Sequence, residues 1–150
     1  MKQKNMNAFT LTEVIIVTVI ISIIAAFALP NYFKSVRKQY ERRIITDLKS
    51  IHAANEVYHA QTKIYLPPDA AAGTLANMNQ ILEINVLADS KITYSCDGDG
   101  SVYTCAGTYN AGANGEFTVL ITQNPLAYDT TNAIYNPYCD PNGPACPSLP

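Results

Sequence analysis

The chain has 150 residues, a formal net charge of −2 and 15% charged residues. That length bounds it to one domain plus an attached segment. The small acidic balance gives no reason to expect a nucleic-acid partner.

Residues 1–8 (MKQKNMNA) are polar and carry two lysines. Residues 9–29 follow with a single charge, Glu13. At 1.5 Å per residue such a helix spans roughly 31 Å, the thickness of a bilayer core. A cleaved secretory signal is the competing reading, with Ala26-Phe27-Ala28 as a crude small-residue site. Its apolar region is shorter, however, and here helical character continues past Pro30.

That continuation covers residues 31–62. Phe33, Val36, Tyr40, Ile44, Leu48, Ile51, Asn55 and Tyr58 recur at three- and four-residue steps, which predicts an amphipathic helix. Joined to the apolar stretch it makes one helix of about 50 residues, far past the usual globular length. A kink is expected at Pro30, because proline removes a hydrogen bond and crowds the preceding turn. Tyr65-Leu-Pro-Pro-Asp69 is expected to end the helix.

Residues 70–88 read as a loop with a short helix around 75–83. Alternating apolar residues then predict strands over 91–96, 101–108 and 116–123, joined by the Asp97-Gly-Asp-Gly100 and Asn110–Gly115 turns. The expectation is a three-stranded antiparallel meander. The last 27 residues are rich in Pro, Asn, Asp and Tyr and read as an ordered coil. His52 and His59 on the helix are expected to pack or face solvent.

Cys96, Cys105, Cys139 and Cys146 have spacings that match no zinc site, and no His lies near them. An even count in a small exported domain implies two disulfides and an oxidising compartment; four buried thiols are the alternative. Of three possible connectivities, sequential pairing closes the shortest loops and is the expected one.

Glu13 is the most informative residue. A carboxylate near the end of an apolar helix costs on the order of 2–3 kcal/mol if unpaired in lipid. The nearest base along the helix is Lys34. A positive partner must therefore come from another molecule, or from a new N-terminus. A cut before Phe9 creates an amine, with Glu13 as fifth residue of the shortened chain, and a neighbouring copy shifted along the axis then pairs that amine with Glu13. The alternative is a Glu that snorkels to the interface or is protonated.

A basic leader, then Phe9-Thr-Leu-Thr-Glu13-Val-Ile, then an apolar helix with Pro30, resembles the class III signal of type IV pilins and type II secretion pseudopilins. The match covers about residues 7–40. The resemblance implies cleavage between Ala8 and Phe9 by a prepilin peptidase, methylation of the Phe9 amine, and insertion in a bacterial inner membrane. Assembly by inner-membrane machinery into a helical homo-oligomer follows, with Glu13 and Pro30 as assembly residues. The subunit then lies in a periplasmic or extracellular filament. The implied fold is α+β: a long N-terminal helix on a small antiparallel sheet, with a disulfide-stapled C-terminal tail. Its parts are a leader (1–8), a transmembrane and polymerisation helix (9–30), its amphipathic continuation (31–62) and a globular head (63–150). Two departures stand out: the family favours Gly where Ala8 precedes the cut, and an aliphatic residue where Thr12 stands.

Charge is unevenly spread. Lys34, Arg37, Lys38, Arg42 and Arg43 form a basic collar with Glu41, while three bases face ten acids from Ile44 onward. The positive-inside rule alone places the collar in the cytoplasm; the disulfides and the leader motif place it outside, and these take precedence. In a staggered assembly the collar of one copy then lies beside the acidic head of another. Asp97-Gly-Asp99 resembles part of a calcium loop but lacks the later acids. No cofactor is expected, with calcium at Asp97 and Asp99 as the lesser alternative to a plain hairpin turn. Tyr128, Tyr135 and Tyr138 are expected on an exposed filament face. No nucleophile–base set, phosphate loop or nucleotide fingerprint is present, so an enzyme is not expected. The leading expectation is the repeating subunit of a type IV pilus. The alternatives are a pseudopilin acting as a short piston, and a membrane-anchored binding domain that never polymerises.

Overall fold

The apolar and amphipathic stretches form one continuous helix. In the computed structural model, α1 spans Leu11–Thr62 and passes through Pro30. The described residues are 10–66, 74–112, 115–123, 137–140, 143–147 and 149. The chain divides into two units, Met1–Val36 and Arg37–Pro150.

In the first unit, no described residue of α1 is buried: its large apolar side chains from Val14 to Leu29 are more than half exposed.

In the second unit, α1 buries Glu41, Ile44, Leu48, Ile51 and Asn55 along one face. Ile44, Leu48, Ile51 and Asn55 are the buried part of the expected stripe; Tyr40 and Tyr58 are half-buried and Phe33 is exposed, and Glu41, grouped with the collar in the sequence, belongs to the buried face. It is fully buried, and its Oε1 accepts from Leu149 N at 3.0 Å. A buried carboxylate needs such donors. The helix ends at Thr62, before the two prolines, because Lys63 turns into the left-handed region (φ 68°) while its amide still bonds His59 O. Asn55 Oδ1 then accepts from Leu66 N at 2.9 Å, folding the exit chain back onto the helix.

Helix α2 covers Leu75–Ile81, capped by Thr74, whose hydroxyl accepts from Asn77 N. Asn79 clasps Val86 through both its side-chain amide groups, at 2.9 and 3.0 Å, and so fixes the path into the sheet.

Strands β1 (Ile92–Gly98), β2 (Tyr103–Tyr109), β3 (Phe117–Thr122) and β4 (Tyr138–Cys139) form one antiparallel sheet in that order. The first three are the expected meander. β4 was not expected; it lies in the tail read as coil, pairing Val119 with Cys139 and Leu120 with Tyr138. Two residues carry too little periodicity to betray a strand. Tyr138 is accordingly buried, not on an exposed face. Tyr128 and Tyr135 lie outside the described residues.

β2 presents Tyr103, Cys105, Gly107 and Tyr109 to α1. Gly107 has a steric reason: a Cβ there would sit 2.5 Å from Ile44 Cγ2, so the glycine lets helix and sheet approach closely. Ile44, Leu48, Ile51, Phe117, Val119 and Ile121 form the centre of the core.

Candidate functional site

Physical chemistry singles out the start of α1. Its apolar flank is too large and too exposed to rest in water, and this stretch is long and apolar enough to cross a membrane. The hydroxyls inside it are satisfied within the helix: Thr18 donates to Ile15 O at 2.9 Å and Ser22 to Thr18 O at 2.7 Å. No side chain other than Glu13 brings charge into residues 10–33.

The geometry at Glu13 is specific. Thr10 precedes the first helical residue and donates twice to Glu13 Oε2, from its amide at 3.1 Å and its hydroxyl at 3.0 Å. In return Glu13 N donates to Thr10 Oγ1 at 3.3 Å. This is a capping box, which pairs the helix's own unsatisfied amides with two side chains. The T-x-x-E spacing is legible in the sequence and supplies local donors to the carboxylate besides any positive partner. The donors are neutral, however, so they supply the carboxylate with no counter-charge. Ala8 and Phe9 lie outside the described residues.

The collar is not uniform. Arg43 is spent inside the head: it reaches Asp89 at 2.5 Å, Leu87 O at 3.2 Å and Asp47 at 3.7 Å. Asp47 also accepts from Tyr94 OH at 2.5 Å. Arg37 donates to Ala145 O at 3.3 Å and lies 5.7 Å above the Phe117 ring. Lys34, Lys38 and Arg42 remain exposed.

The structure pairs Cys96 with Cys105, directly opposite each other on β1 and β2, and Cys139 with Cys146. At the β1–β2 turn, Asp99 Oδ1 accepts from Ser101 N and Val102 N at 2.8 and 2.9 Å, which holds its carboxyl below the usual range. Asp97 is exposed beside it. Among the described residues, no three His, Cys, Asp or Glu side chains converge as metal ligands. His52 hydrogen-bonds Tyr103 OH and His59 stacks on Tyr65 at 4.1 Å, so both histidines are packing residues.

The prokaryotic N-terminal methylation motif matches residues 3–29. The chain is 31% identical over 68 residues to type II secretion system core protein G of Vibrio cholerae serotype O1, covering 45% of this chain and 47% of that protein. It is 26% identical over 77 residues to the protein of the same name from Aeromonas hydrophila, covering 51% and 54%. The motif and the two similarities support a relationship to pilins and pseudopilins. It spans about half the length of the curated relatives it matches. No solved structure matches it significantly. Pilins and pseudopilins are structural subunits rather than enzymes. Its long helix, four-stranded antiparallel sheet and C-terminal disulfide are those of a pilin fold.

Proposed function

We propose that this chain is a pseudopilin of a type II secretion apparatus. It is held in the bacterial inner membrane by the first half of α1, cut before Phe9, and assembled through that helix into a short periplasmic filament. The sequence put a pilus subunit first; the two secretion-system relatives favour the pseudopilin alternative instead.

The observation that carries the assembly reading is the state of Glu13. It is the one charge on an exposed apolar helix, and its donors from Thr10 are neutral. In a low-dielectric surrounding an unopposed carboxylate is costly, and a neighbour's N-terminal amine supplies the missing charge. Prepilin peptidase and the secretion machinery's membrane components are the partners this reading requires.

Mass spectrometry of the N-terminus from membrane fractions tests it. A mature chain beginning at N-methyl-Phe9 is expected. A chain beginning after Ala28 overturns the proposal, since Glu13 is then discarded with a signal peptide.

A further inference from the structure

We propose that the head carries a second assembly contact, head-to-tail between copies of this chain: the cation row Lys38, Arg42 and Lys49 of one copy seats the acidic β1–β2 turn of the next. This rests on the polymerisation reading above and adds to it a surface in the head.

The row comes from helical spacing. Steps of four and seven residues put Lys38, Arg42 and Lys49 within about 40° of one another on α1, along roughly 16 Å. All three are exposed. Among the described residues the ion pairs engage Arg43 alone, and Arg37 is turned onto Phe117 and the tail. Of the remaining three, Lys38 and Arg42 stand four apart and repel each other mildly, a cost that an anionic partner removes.

The acids sit at the other end of the same unit. The sheet steps along α1 in order: Tyr109 stacks on Tyr40 at 4.4 Å, Tyr94 bonds Asp47, Tyr103 bonds His52, and Gly100 O accepts from Tyr65 N at 2.9 Å. The β1–β2 turn therefore lies beside the C-terminal end of α1. Asp97 and Asp99 are exposed on it, and Glu56 and Glu83 are exposed toward the same end. Lys63 is the exception at the acidic end and Glu116 at the cationic end.

Charges so separated cannot meet within one copy. Two parallel copies displaced along α1 bring them together. The displacement is the distance from Arg42 to the levels of His52 and Tyr65, roughly 15–35 Å. Such a contact uses different patches on the two copies, so it repeats into an open filament rather than closing as a two-fold dimer. The row is also longer than a lipid headgroup layer of roughly 5–8 Å, which favours a protein partner over an anionic membrane surface. The contact sets register and encounter rate more than affinity and weakens with salt.

The test uses the full-length chain in its membrane. A photoreactive residue in place of Lys49 should cross-link to the 97–102 segment of another copy; adducts to lipid, to another protein or to a different face of this chain overturn the proposal. In parallel, the K38E/R42E variant should lower filament yield roughly tenfold, and adding D97K in the same chain should restore part of it, since the turn then offers a cation to the reversed residues of the row. Normal filaments from K38E/R42E, or no recovery in K38E/R42E/D97K, overturn the contact and leave the Glu13 reading standing. No filaments from the unaltered chain overturn both.

Discussion

Thr10 and Glu13 hold each other reciprocally: two donors from Thr10 reach one carboxylate oxygen, and the Glu13 amide returns a bond to the Thr10 hydroxyl. In the proposed assembly the same carboxylate serves as counter-charge as well as cap, and the two roles are separable. Glutamine fills the capping position nearly as well as glutamate but carries no charge. Glu13→Gln is expected to retain the helix and membrane insertion while losing filament assembly, read by electron microscopy of secretion-active cells. Normal assembly by Glu13→Gln would reduce Glu13 to a cap.

Gly107 and Ile44 define the closest approach of sheet to helix. Gly107→Ala is expected to destabilise the head by about 1–3 kcal/mol, the usual cost of overpacking. Trimming the opposing side chain with Ile44→Val in the same chain should recover part of it. Thermal unfolding of the detergent-solubilised chain measures both, and a neutral Gly107→Ala would mean that α1 shifts freely.

Asn55 is fully buried; its Oδ1 holds Leu66 N, and its Nδ2 has no hydrogen-bond partner among the described residues. Asn55→Ala leaves the Leu66 amide buried without its acceptor, at a cost of about 1–3 kcal/mol. Hydrogen exchange at Leu66 should accelerate in this variant beyond the global change. Unchanged protection there would show that the bond is dispensable.

Asp89 is held below the ordinary aspartate range, first by the hydrogen bond from Lys91 N, against the opposing push of burial, and then by Arg43. A carboxylate depressed in the folded state stabilises it above the unfolded pKa of about 3.9, and that contribution is lost as pH falls through the folded value. Stability measured by circular dichroism should thus decline below about pH 4, and Asp89→Asn should flatten that limb. The opposite sign holds for Tyr94, whose hydroxyl is pushed up by burial and then by Asp47. Its contribution is complete below about pH 10 and falls as pH rises, a dependence that Tyr94→Phe should remove.

The start of α1 was largely legible in the sequence because its information is local. A run of apolar residues and one carboxylate need only spacing to be recognised, and the capping box lies within four residues. The collar was misread because its members look alike in sequence. Glu41 differs from its neighbours only in facing the sheet, and Arg43 and Arg37 differ from Lys38 and Arg42 only in finding Asp89 and Ala145, which lie far along the chain.

The sequence alone determined that this protein has an apolar anchor bearing one charge at its start, joined to a small α+β head, since periodicity and composition act over a few turns. Tertiary structure decided which charges the head consumes and which it leaves free, that Tyr138 and Cys139 join the sheet, and how closely Gly107 brings β2 to α1. Those outcomes depend on pairings between distant segments, where burial and geometry select among residues of equal local propensity.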